Sequence, residues 1–316
     1  MNAKLSRRTF LGLSSAFVCG GCRSLFTGAA GDYDENLTLL FSDAHISGTE
    51  PEYAYTQRKL RAFVAEVLRL SPLPRNVVFF GDLARNRGKR KDYAAAASIL
   101  KPLTDAGIRL TLGCGNHDRH APFFEAFPER AKESLVPGVN VARVPLAHCD
   151  LLLLDSLDVK ADANPVKGVL SGAEQEWLLS ALPKWPRPVL VGAHHEATEL
   201  SAGGRHLTDV LADAPNFRGY LGGHVHRWSA DWFCKSGWDS SMPIWRRVTL
   251  PSLGYWGDIG WAELRTNPSR AEITVRLDDF YVARPIGFRK DGPSERPAAW
   301  DDVRSEKDGG RCVIRL

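Results

Sequence analysis

From residue 37 onward, short apolar runs alternate with amphipathic stretches. The runs Leu37–Phe41, Asn76–Phe80, Arg109–Leu112, Leu151–Asp155, Val189–Val191 and Gly219–Leu221 have the length of buried strands. Between them, Leu60, Phe63, Val64, Val67 and Leu68 recur at helical spacing and predict one apolar helix face. Ser171-Gly172-Ala173-Glu174 has the form of a capping box, opening a helix whose Trp177, Leu178, Ala181 and Leu182 point inward. Alternating strands and helices predict an α/β sheet fold. Polar residues cluster just past the strand ends, where such sheets bind ligands.

The pattern changes in residues 227–284, which lose helical spacing and read as strands and loops. Arg246–Leu250, Gly260–Arg265 and Ala271–Leu277 are the strand candidates there. Six of the nine tryptophans fall between Trp228 and Trp261, marking this part as compositionally distinct. Such aromatics can stack a base or sugar, but packing a C-terminal part is the default expectation. Residues 285–316 are expected to form a C-terminal extension, whose stretch Pro285–Arg311 is rich in Pro, Gly and charge and expected to lie loosely over the surface.

Composition narrows the class. The chain has 316 residues, 44% hydrophobic and 25% charged, which excludes wholesale disorder and a multi-span membrane protein. Six cysteines are too few for a disulfide-built scaffold. The net charge of +4 sits in the first 31 residues: Lys4, Arg7, Arg8 and Arg23 have no acid beside them, and beyond them 37 bases face 37 acids. A neutral remainder argues against a nucleic-acid track, so no stable nucleic-acid partner is expected.

Met1–Ala30 has the layout of a targeting segment, with a basic start, an apolar run over Phe10–Val18, then small residues. That run is too short to span a bilayer, so no transmembrane helix is expected in the mature chain. Ser6-Arg7-Arg8-Thr9-Phe10-Leu11 resembles a twin-arginine export signal, which implies the twin-arginine translocation machinery as partner and a periplasmic or extracytoplasmic location. Gly28-Ala29-Ala30 offers a cleavage site. Gly20-Gly21-Cys22 offers a second reading, lipid anchoring through Cys22, although Cys19 stands where that signal prefers an aliphatic residue. Cys114, Cys149, Cys234 and Cys312 are expected mainly as small buried hydrophobes, with Cys234 and Cys312 a candidate disulfide pair.

Five segments at the ends of apolar runs carry candidate chemistry: Asp43-Ala44-His45, Gly81-Asp82, Gly115-Asn116-His117-Asp118, His194-His195 and Gly223-His224-Val225-His226. Asp43 and His45 are two apart, as are His224 and His226; on an extended chain each pair projects to one side and offers two ligands to one point. Asp, His and Asn supply oxygen and nitrogen donors suited to Zn, Mn or Fe. Glycines before Asp82, Asn116 and His224 permit tight turns close to an ion.

Together these segments resemble the calcineurin-like metallophosphoesterase superfamily, from about Leu37 to His226 and more faintly through Thr249-Leu250-Pro251-Ser252. Gly81-Asp82-Leu83-Ala84, and the Leu151–Asp155 run followed by the Trp177 helix, look most similar to the class III cyclic-nucleotide and glycerophosphodiester phosphodiesterases. The resemblance implies a four-layer α/β-β/α sandwich of two mixed sheets occupying residues 31–284. It implies that Asp43, His45 and His226 hold one metal, that Asp82 bridges to a second, and that Asn116, His194 and His224 complete the second site. His195 is the alternative to His194, because Glu196 stands where the family usually has Pro.

A phosphoester resists hydrolysis because its anion repels the nucleophile and its leaving alkoxide is poor. Two metals roughly 3.5–4 Å apart answer both problems, so in-line attack by a metal-bridging hydroxide is expected, without a Ser or Cys nucleophile. His117 is expected to protonate the leaving oxygen or to stabilise phosphoryl charge, with Asp118 orienting it. The expected activity is therefore an exported phosphoesterase acting on small phosphodiesters or monoesters. A catalytically silent metal-binding envelope protein and a metal-storage protein are the competing readings. Against them stand the full ligand set and the presence of His117 and Asp118. Arg85 and Arg119 are candidate phosphate contacts with solvated surface positions as the default, and His120, His148 and His206 lack partner spacing.

Overall fold

The apolar runs fold as strands, and side-chain alternation along them builds three hydrophobic layers. The computed structural model describes residues 32–158, 166–237, 244–278 and 309–316. The expected export segment over 1–30, its Cys22 and most of the expected C-terminal extension lie outside these residues. One sheet runs in the order β14-β13-β12-β1-β2-β3, from Arg311–Arg315, Arg270–Leu277, Gly260–Asn267, Tyr33–Phe41, Leu73–Phe79 and Arg109–Leu112. The other runs β10-β11-β9-β6-β5-β4, from Ser229–Cys234, Ile244–Thr249, Phe217–Gly222, Val189–Gly192, Asp150–Leu153 and Ala142–Pro145. β7 (Ser201–Ala202) and β8 (Arg205–His206) form a small separate ladder. Both main sheets are mixed: β1, β2 and β3 are parallel, as are β5, β6, β9 and β11, while β4, β10, β12, β13 and β14 pair antiparallel.

Alternation decides which side chain enters which layer. Leu37, Leu39 and Phe41 of β1 and Val77 and Phe79 of β2 face α1 (Ala54–Val67) and α2 (Arg90–Asp105), where they meet Leu60, Phe63, Val64, Ile99 and Leu103; the short α3 (His120–Ala126) and α4 (Pro128–Glu133) follow β3. Leu40, Val78 and Phe80 point the other way, into a core between the sheets shared with Leu151, Leu153, Leu190, Leu221, Ile273 and Ile314. Leu152, Leu154, Val189 and Val191 close the opposite face under α5 (Gly172–Ala181) and α6 (Leu207–Ala212), through Leu178, Val210 and Leu211. The result is the four-layer sandwich of two mixed sheets. Strands covered on both faces read as continuous apolar runs, which explains their legibility.

The described strands of the β- and aromatic-rich part divide between the two sheets: β10 and β11 extend one while β12 and β13 extend the other, and Trp228 packs between the sheets. The last residues of the expected 285–316 extension return to the fold. Arg311–Arg315 is an edge strand beside β13, because Cys312 and Ile314 alternate inward while Arg311, Val313 and Arg315 stay out. Cys234 and Cys312 sit in different sheets, and Cys114, Cys149, Cys234 and Cys312 are all free thiols. Ser171 caps α5 as expected, its Oγ accepting from the Glu174 nitrogen at 3.2 Å. Among the described residues no helix is long and apolar enough to cross a membrane.

Candidate metal centre

Every candidate ligand sits just beyond the carboxyl end of a parallel strand: Asp43 and His45 after β1, Asp82 after β2, Asn116 after β3, His194 after β6, His224 and His226 after β9. Parallel neighbours deliver their loops to one end, and contacts across the two sheets close the site there. The His224 nitrogen donates to Asp43 Oδ2 at 3.0 Å, the Leu253 nitrogen to the Ser42 carbonyl at 2.8 Å, and Ser252 Oγ to the Asp43 carbonyl at 2.9 Å.

The pairs converge by a route that the extended-chain expectation did not contain. Asp43, His45, Asp82, His224 and His226 all adopt left-handed backbone, with φ of 54°, 45°, 57°, 70° and 54°. Among the described residues, Arg87 is the one further non-glycine residue in that region. Such conformations cost on the order of 1–3 kcal/mol each and persist where the surroundings enforce them for function. Glycine is required at two contacts here by space. A Cβ on Gly115 would lie 2.3 Å from Asp82 Oδ1, and one on Gly223 would lie 2.0 Å from Ser42 Oγ.

The histidine rings are oriented from behind. Nδ1 of His194 lies 3.1 Å from the Phe80 carbonyl, that of His226 3.1 Å from the Trp256 carbonyl, and that of His45 3.4 Å from the Arg85 carbonyl. A carbonyl can only accept, so the proton belongs on Nδ1 and a bare Nε2 lone pair faces inward. His45 Nε2 and His226 Nε2 then face each other at 3.3 Å, and His226 Nε2 lies 3.0 Å from Asp43 Oδ1, a buried oxygen with no hydrogen bond. Acceptors this close repel one another unless a cation lies among them. Further in, His194 Nε2 is 3.3 Å from Asp82 Oδ2 and 3.1 Å from Asn116 Oδ1. Asp82 Oδ2 is 3.6 Å from His45 Nε2, so this carboxylate lies between the two groups. The donor set and the unmet lone pairs fit metal ions.

Electrostatics points the same way. Burial works against the Asp43 and Asp82 carboxylates, yet the surrounding histidines hold both well below the usual range. Burial also disfavours charge on His194, but Asp82 and Asp43 raise its pKa to about 9. His45, more weakly compensated, is pushed by burial down to about 3, and His224 to about 4. Two buried carboxylates are demanding positive charge from whatever stands nearby.

His195 adjoins the same group but is anchored differently. Its Nδ1 is 2.7 Å from Ser156 Oγ, and its ring fills the space where a Gly168 Cβ would come within 2.6 Å. Its Nε2 is buried and unbonded, and it lies near His194 and His224, but the contacts with Asn116 and Asp82 belong to His194. His117 has its backbone nitrogen on Asp82 Oδ1 at 2.8 Å and Nδ1 3.2 Å from the Arg85 carbonyl. The expected support from Asp118 is not there. Asp118 is buried and accepts from the nitrogens of Leu83, Ala84 and Gly115 and from Tyr93 Oη, so it ties two loops together while Arg85 orients His117.

A family profile, calcineurin-like phosphoesterase, matches residues 37–228. The chain belongs to this family. A dimetal phosphatase from Danio rerio shares its fold, with 15% identity, a TM-score of 0.57, and coverage of 76% of this chain and 96% of that one. Looser matches include TT1561 of Thermus thermophilus (15% identity, TM-score 0.44, 73% and 94% covered). Another is Vps29 from Entamoeba histolytica complexed with zinc (11%, 0.37, 76% and 92%). No curated protein matches. Family motifs do not reveal everything that surrounds the centre. Tyr255 packs 4.4 Å from the His45 ring, Trp256 stacks 4.2 Å from His226, and the Arg85 carbonyl serves two histidines. These residues carry no spacing signal. Arg119 spends its guanidinium on the Asn116 and Asp118 carbonyls, His120 pairs with Asp155 at 2.5 Å, and His148 and His206 are exposed or bonded at the surface.

Proposed function

We propose that this chain is an exported dinuclear-metal phosphoesterase hydrolysing small phosphodiesters or phosphomonoesters, akin to the class III phosphodiesterase branch. The observation that carries it is the inward-facing set of unmet acceptors: Nε2 of His45 and His226 at 3.3 Å, with the unbonded Asp43 Oδ1 beside them. Asp43, His45 and His226 would hold one ion, Asn116, His194 and His224 the other, with Asp82 between. Two such ions supply Lewis acidity toward the phosphoryl oxygens and the attacking water.

The protein's own part is positioning and proton delivery. His117 stands at the edge of the centre with its ring fixed by the Arg85 carbonyl, leaving Nε2 for the leaving oxygen. Burial lowers its pKa, which makes a proton held at Nε2 easier to release to a poor leaving group. Asp118 fixes the loops that carry Asp82 and Asn116. A silent binding module has no need of a positioned His117, which favours the enzyme reading. Residues 1–30 support export through the twin-arginine route. The experiment is a screen of purified mature chain with Mn, Zn, Fe or Co against bis-p-nitrophenyl phosphate, p-nitrophenyl phosphate, cyclic nucleotides and glycerophosphodiesters. Hydrolysis of at least one ester is expected, and none with any metal would sink the reading.

A further inference from the structure

Arg85 lies three residues beyond Asp82, and its side chain is half-buried. Its guanidinium carbon sits 3.9 Å from the centre of the Tyr53 ring and 4.7 Å from that of Tyr255, two rings 6.3 Å apart and inclined by 60°. The cation is thus wedged in an aromatic notch, a face-on contact that spends few of its N–H donors. Among the described residues it has no carboxylate partner, and its buried Nε has no hydrogen bond. The notch borders the metal centre directly: the Tyr255 ring is 4.4 Å from the His45 ring, and the Arg85 carbonyl faces Nδ1 of both His45 and His117.

A half-buried guanidinium without a counter-anion costs free energy, and it is retained where an anion arrives from outside. Its planar fork suits phosphate oxygens, and the flanking rings hold it ready while leaving most of its donors open. A diester carries one negative charge on its phosphoryl group and a monoester carries two. The ions that balance Asp43 and Asp82 serve both substrates, so one further fixed cation matters most to the second charge. Resting on the phosphoesterase reading above, we propose that Arg85, clamped by Tyr53 and Tyr255, is a specificity-determining contact that makes this chain favour dianionic phosphomonoesters over phosphodiesters.

The test uses the metal-loaded chain and its Arg85→Ala and Arg85→Lys variants. It reads kcat and KM on p-nitrophenyl phosphate and bis-p-nitrophenyl phosphate, metal content, and inorganic phosphate binding by calorimetry. Every variant keeps the Arg85 carbonyl, so the histidines stay oriented. In Arg85→Ala, kcat/KM on the monoester is expected to fall about 10- to 100-fold, the worth of one charge-assisted hydrogen bond, and phosphate affinity to fall in step. On the diester the loss is expected to stay under about 3-fold, and metal content to be unchanged. Arg85→Lys is expected to fall between, because an ammonium keeps the charge without the fork. Equal losses on both esters, or loss of metal with the side chain, would show that Arg85 only holds its loop and would overturn the proposal. If the unaltered chain hydrolyses neither ester, the phosphoesterase reading fails. Phosphate binding then decides: about tenfold weaker binding in Arg85→Ala sustains the anion site and equal binding removes it.

Discussion

Gly115→Ala probes how tightly the centre is packed. The added Cβ would lie 2.3 Å from Asp82 Oδ1, 2.6 Å from the Asp82 nitrogen and 2.8 Å from His194 Cδ2. Ordinary contact begins at 3.4 Å, so the gaps to both residues must open by as much as about 1 Å. Gly115 is not in the left-handed region, so the whole effect comes from contact. Neither neighbour can give cheaply. Asp82 Oδ1 is held by the His117 nitrogen at 2.8 Å, and His194 by the Phe80 carbonyl at 3.1 Å. Overpacking of this kind costs about 1–3 kcal/mol. In a domain of this size that corresponds to roughly 2–12 °C in Tm. A shift of about 1 Å at the reacting centre costs on the order of 100-fold in rate. Calorimetric melting of the metal-stripped chain reads the first effect, and hydrolysis by the reloaded chain reads the second. A melting temperature within about 1 °C of the unaltered chain, together with full turnover, would refute the reasoning.

Other outcomes follow from single contacts. Asp118→Asn is expected to destabilise by about 2–5 kcal/mol in denaturant unfolding, because each carboxylate oxygen accepts from two donors and an amide turns its NH2 on one pair; unchanged stability would contradict this. Ser171→Ala is expected to cost about 1 kcal/mol through loss of the α5 cap, read the same way. His117→Ala is expected to keep its metals while turnover falls roughly 100- to 10,000-fold, and full activity would remove His117 from the reaction. Burial lowers the pKa of His120, but Asp155 outweighs it and the net shift is upward from 6.5. Its contribution is therefore complete below about pH 6.5 and is lost as pH rises through the folded value. The melting difference between the unaltered chain and His120→Gln should accordingly shrink from pH 6 toward pH 9, and a constant difference would count against the ion pair.

Local sequence carries some of this architecture and not the rest. Leu151–Leu154 and Val189–Val191 are legible because both faces of their strands are covered, which leaves uninterrupted apolar runs. The ligand motifs are legible because each follows such a run. α2 is harder to read, since its core face depends on small residues such as Ala96 within a run of four alanines. The allocation of β10 and β11 to one sheet, and of β12 to β14 to the other, depends on pairing between distant segments, for which local periodicity holds no information. Asp43 and His45 converge through a different backbone geometry from the one their spacing predicts. Alternation along an extended chain would place them on one side, but left-handed turns enforced by Ser252, Gly223 and the loop after β2 do so instead. Asp118 shows the limit of adjacency: standing beside His117 in sequence, it bonds to Leu83, Ala84, Gly115 and Tyr93 and not to the ring.

The central claim is that two metal ions on these residues make the chain a phosphoester hydrolase. It is tested most directly by titrating the chelator-stripped chain with Mn or Zn while following phosphoester hydrolysis. Turnover absent from the stripped chain and rising to a plateau at two equivalents of metal is the predicted result. Turnover that survives stripping, or a loaded chain that stays inactive toward every ester, would contradict it.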